Sequence, residues 1–134
     1  MKPHKLLPIE IMDWYDGIVI ATARTSWLPG VFLVSLLSWN QTKRQRVYIL
    51  IPISETDVAN IRSSSEWEAL TSRLRMLGAG ARGDAILILW DETTEEAIAE
   101  SSTSIAAVRD ELMSHVDDAL KPERQRWFDV VRKG

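Results

Sequence analysis

Val31-Phe32-Leu33-Val34-Ser35-Leu36-Leu37-Ser38-Trp39 is the stretch on which the fold turns. In an extended chain, alternate side chains point to opposite faces, so Val31, Leu33 and Leu37 share one side and Phe32, Val34 and Leu36 the other. Both sides are apolar. A strand with one wet face should alternate apolar and polar residues. This strand therefore predicts a sheet covered on both faces, by its own helices or by a second copy of the chain.

Working outward, residues 18–27 are rich in β-branched side chains (Ile18, Val19, Ile20, Thr22, Thr25) and read as a preceding strand. Leu28-Pro29-Gly30 supplies the turn between them, with Pro presetting φ and Gly accepting a positive one. Residues 46–53 form a third strand after the polar connection 40–45, and Pro52 falls near its end, where a missing N–H is tolerated. Further on, Ala85-Ile86-Leu87-Ile88-Leu89-Trp90 is a short continuous apolar run and fits a buried strand. The expectation is an antiparallel three-stranded meander, with residues 85–90 as a candidate fourth strand.

Helices account for the rest of the second half. Ser54 is a candidate N-cap with Val58 and Ile61 facing inward. Ser65-Glu66-Trp67-Glu68 spells a capping box ahead of the stripe Trp67, Leu70, Leu74 and Leu77, with Gly78 ending the helix. Residues 91–101 read as a short acidic helix, with Thr93 capping and Glu96 answering. Residues 104–120 read as one long helix with the stripe Ile105, Val108, Leu112, Val116 and Ala119. Pro122 starts a last helix carrying Trp127, Phe128 and Val131. The whole is a single α+β domain over residues 1–134, with four or five helices on the sheet.

Composition limits the chemistry. The 134 residues are 46% hydrophobic and 26% charged, which suits a folded domain. There is no cysteine, so thiolate nucleophiles, disulfides and Cys-ligated metal are excluded. His4 and His115 are the only imidazoles, and no metal or cofactor is expected. No signal-peptide-like run opens the sequence, and no apolar stretch approaches the ~20 residues of a membrane span. These features predict a cytoplasmic protein without membrane contact.

Most motifs have structural explanations. Gly78-Ala79-Gly80-Ala81-Arg82-Gly83 matches the dinucleotide pattern GxGxxG but follows a helix and precedes a strand, the reverse of what phosphate binding needs. Glu111 and His115 share a helical face, yet His115 lies beside the apolar stripe. The serines fall where caps and turns are expected, and none sits in a nucleophile motif. His4 lies in a segment expected to fray. Lys43-Arg44-Gln45-Arg46 reads as a solvated hairpin tip, and nucleic-acid binding is not expected of an acidic chain.

Two features point to function. Residues 91–120 hold nine acidic residues against one basic, in a chain of net charge −3. Asp117 and Asp118 fall near a predicted helix C-terminus, where the macrodipole disfavours them. This block predicts a non-enzymatic protein-binding module, such as an acidic inhibitor or immunity-type protein that meets a cationic partner. Glu95, Glu96, Asp110, Glu111, Asp117 and Asp118 would steer the encounter, with Trp27 and Trp39 as exposed anchors. The second feature is Asp13-Trp14-Tyr15-Asp16-Gly17, two carboxylates flanking two aromatics. Its alternative expectation is a small-molecule-binding domain or small enzyme with a pocket near Asp13, Tyr15 and Asp16. The doubly apolar strand adds the expectation of a homo-oligomer.

Overall fold

The computed structural model of the protein describes residues 3–62 and 67–133. Its sheet has six strands, not three or four: β1 (Leu6–Trp14), β2 (Ile18–Thr25), β3 (Val31–Asn40), β4 (Gln45–Ile53), β5 (Asp84–Asp91) and β6 (Glu96–Ser104). They are neighbours in chain order, each antiparallel to the next. Among the described residues, four α-helices and one 3-10 turn accompany the sheet: α1 (Glu55–Arg62), α2 (Trp67–Gly80), α3 (Ile105–Leu112), the 3-10 turn (Val116–Leu120) and α4 (Pro122–Lys133). The expected strands in the first half and the 85–90 strand are present. The strand count was too low because both edge strands escaped the period-two test.

Each edge strand hides for its own reason. β1 slips register between Pro8 and Glu10, between Ile11 and Asp13, and between Asp13 and Trp14. Each bulge shifts the side-chain alternation by one residue, so no clean alternation survives. Pro8 is tolerated because an edge strand needs only one ladder. In β6 the sequence Glu-Ala-Ile-Ala-Glu-Ser-Ser-Thr-Ser has no aromatic residue and only Ile98 and Thr103 as β-branched ones, so its strand preference is weak. Pairing with the strongly apolar β5 overrides that weak propensity. The acidic helix expected at 91–101 is thus a hairpin. Thr93 N–H donates to Asp91 Oδ1 at 2.8 Å within the turn, where a helix cap was expected.

The expected long helix over 104–120 is broken. Ser104 caps α3, accepting from Ala107 N–H at 3.3 Å, but the helix stops at Leu112. Groups from outside take the carbonyls of its last turn: Ser114 Oγ donates to Asp110 O, and Arg124 to Glu111 O. The chain then turns at 113–115, and the 3-10 segment returns to the sheet, where Ser38 Oγ donates to Ala119 O. At α1, Ser54 caps as expected, exchanging hydrogen bonds with Asp57 at 3.0 Å each. Ser65 and Glu66 lie outside the described residues, as do the side chains of Ile61, Trp67 and Leu70. Helix α2 continues past its expected stop to Gly80, and Leu77 is exposed where it was expected inward. Gly78 faces the sheet in its place. A Cβ there would stand 3.2 Å from Ile51 Cδ1 and 3.3 Å from Leu33 Cδ2, so glycine lets α2 lie close.

The two faces of the sheet are buried differently. One face carries Leu33, Ser38, Ile49, Ile51 and Leu87, and the helices pack there. The other carries Ala21, Ala23, Val34, Leu36, Tyr48 and Ile88, all nearly inaccessible. Curling of the sheet covers it. The segment entering β1 reaches the start of β6, where Ala97 N–H donates to His4 O at 2.9 Å and Lys5 Nζ to Thr94 O at 2.8 Å. The doubly apolar β3 is therefore buried on both faces within one chain. No helix among the described residues is long and apolar enough to cross a membrane.

Candidate functional site

An up-and-down sheet places alternate hairpins at one end, and here the β1–β2, β3–β4 and β5–β6 turns gather there. Three residues other than glycine have positive φ among the described residues: Asp16 (52°), Arg44 (55°) and Glu95 (56°). Each lies in one of these turns. All three are charged, and all line one cleft of about 430 Å³ on the inner side of the curled sheet. Leu6, Pro8, Ile11, Ile18, Tyr48 and Trp90 give the cleft its apolar lining, and Trp14 stands at its edge, 61% exposed.

Arg46 closes one end of the cleft, and burial dictates its geometry. A guanidinium that is 1% exposed needs every donor satisfied. Its Nε donates to Glu92 Oε1 at 2.7 Å, Nη1 to Ile18 O at 3.0 Å and Nη2 to Tyr15 O at 2.8 Å. Its Cζ lies 4.1 Å from the Trp39 ring centroid, and Tyr15 meets that ring edge-on at 5.6 Å. One side chain thus ties β4 to the β1–β2 turn and to the β5–β6 turn. Glu92 N–H also donates to Arg44 O at 3.0 Å, joining the β5–β6 turn to β3–β4.

Tyr48 lies next to Arg46 on the same face, and its hydroxyl donates to Ile18 O at 2.7 Å. Burial pushes its pKa up to about 12, against a smaller opposing pull from Arg46. The unfolded chain would ionise near 10 and the folded chain near 12. Stability is therefore fully present below pH 10 and falls as pH rises toward 12, by roughly 2–3 kcal/mol for this group. Tyr48→Phe should abolish that part of the alkaline loss. Urea midpoints of both proteins from pH 9 to 12 test this, and parallel curves would contradict it.

The residues singled out in the sequence are dispersed. Asp16 lines the cleft. Asp13 turns to the helical side, where Arg75 donates to it at 3.2 Å. Tyr15 holds the loop over Trp39 and lies outside the lining. Trp39 is buried rather than an exposed anchor. Trp27 is half-buried: His4 stacks on it at 4.7 Å, and its Nε1 donates to Glu100. That stack, with Lys5 N–H donating to Ser26 Oγ, holds the N-terminal segment that was expected to fray.

The acidic block does not form one helical flank. Glu95 and Glu96 belong to the β5–β6 hairpin, and Asp110, Glu111, Asp117 and Asp118 to α3 and the 3-10 turn. Glu96 pairs with Lys5 at 3.7 Å, Glu111 with Arg126 at 2.8 Å and Asp118 with Lys121 at 2.6 Å. The Lys121 hydrogen bond holds the Asp118 carboxyl below its usual range. Glu95, Asp110 and Asp117 carry no ion pair among the described residues. No group of three or more metal-ligating side chains occurs among those residues.

Sequence reasoning missed Arg46, Tyr48, Trp90 and Glu92. A signal was present: Arg46, Tyr48 and Leu50 alternate in phase, which puts Arg46 inside with the other two. No protein-family model, curated protein or solved structure matches this chain.

Proposed function

We propose that this chain is a non-catalytic binding domain whose ligand is a small molecule seated between β1 and the β4–β5 pair. The cleft supports this reading. Its volume of about 430 Å³ falls within the ~300–1,000 Å³ of small-molecule sites, and it combines an apolar lining with a few charged groups. The lining contains no His, Ser, Thr or Cys, so a Ser–His or Cys–His pair has no place in it. The test is a fragment panel followed by amide and indole NMR. Binders should shift Trp14, Gly17 and Trp90. Ile11→Trp should fill the cleft and abolish the shifts, and Trp14→Ala, at an exposed position outside the core, should weaken them. A panel that perturbs nothing at these residues overturns the reading.

A second reading keeps a cationic protein partner. Asp110 and Asp117, exposed and without ion pairs among the described residues, support it. Asp110→Lys with Asp117→Lys should then weaken binding to that partner and flatten its salt dependence.

A further inference from the structure

The cleft has charges that internal pairing leaves over. Arg46 is consumed by Glu92 and two carbonyls, and Lys5 by Glu96 and the Thr94 carbonyl. Arg44, Asp16 and Glu95 remain, one cation and two anions, with no ion pair among the described residues. These are the same three residues that adopt positive φ. A side chain in that conformation costs roughly 1–2 kcal/mol, a strain that glycine avoids and aspartate partly tolerates. Arg44 and Glu95 get no such tolerance. Turn geometry alone would favour glycine at both positions, and instead both carry charge to the cleft.

From this we infer that the cleft takes a free amino acid with a large apolar side chain. Arg44 would meet the ligand carboxylate, Asp16 and Glu95 its ammonium, and Trp14 and Trp90 would flank its apolar body. This rests on the small-molecule reading above and specifies its ligand. A peptide end carries only one of the two charges, so it would use only part of the rim.

Calorimetric titration with three related probes tests it. L-Phenylalanine carries both charges, phenethylamine only the ammonium and 3-phenylpropionate only the carboxylate. The amino acid should bind at least tenfold tighter than either. Arg44→Gly should remove its advantage over the amine, and Glu95→Gly should reduce its advantage over the acid. Neither variant should melt below the parent, because glycine relieves the turn. Equal affinities for the three probes, or variants that bind like the parent, overturn the inference. Indole separates the two levels. If it shifts Trp14 and Trp90 while the amino acid does not bind, the cleft stands and the ligand class falls. If neither these probes nor any fragment of the panel perturbs Trp14 and Trp90, both fall.

Discussion

Arg46→Met should destabilise the fold by about 3 kcal/mol or more in urea denaturation. The substitution keeps the stem and removes the guanidinium. Glu92 then loses its cation, and the carbonyls of Ile18 and Tyr15 lose a donor. Removing one member of a buried ion pair typically costs ~3–5 kcal/mol, because the other charge stays desolvated. Glu92 is partly accessible and can recover some hydration, which puts the expectation at the low end. Glu92→Gln should cost less, since an amide oxygen still accepts from Arg46. Adding Glu92→Leu to Arg46→Met should recover part of the loss by removing the stranded carboxylate. A cost below about 1 kcal/mol for Arg46→Met would mean that the guanidinium does not hold the hairpins together.

Gly17→Ala should cost about 2–4 kcal/mol, from two separable sources. At φ 146° an L residue is strained, typically by ~1–3 kcal/mol. The new Cβ would also stand 2.9 Å from Arg46 Cζ. A flexible side chain could move aside, but Arg46 is pinned by Glu92 and by two carbonyls on this same loop. Relief by movement would therefore break those bonds. A double-mutant cycle separates the terms. In the Arg46→Ala background only the backbone strain remains, so Gly17→Ala should cost less there by at least about 1 kcal/mol. Strict additivity would show that the contact with Arg46 carries no energy.

The two substitutions probe one device from opposite sides. The sequence marked Asp13-Trp14-Tyr15-Asp16-Gly17 as unusual and gave Gly17 a turn role, which agrees with its positive φ. It did not reveal what presses on the turn. In the sequence Arg46 belongs with Lys43 and Arg44 to a basic run beside polar residues, which normally faces water. Only the alternation with Tyr48 and Leu50 argues otherwise, and three positions are a weak signal beside four adjacent polar ones.

The acidic block shows the same limit. Glu and Ala favour helix, so residues 91–101 read as helical by local preference. Their strand pairing is imposed by β5. Charge counting along the chain found the excess of acid but not its partners. Lys5 and Arg126 reach Glu96 and Glu111 from distant segments, and no local pattern announces such pairs.

The amino-acid sequence by itself determined the α+β class, the central strands β2 to β5 and the last helix. These elements bury enough apolar surface for their periodicity to dominate every other signal. Tertiary structure decided the two edge strands, the break after α3 and the curl of the sheet. It also decided that the three charged hairpin tips share one cleft. Each of these depends on contacts between segments far apart in the chain, where pairing with a neighbour outweighs the preference of the residues themselves.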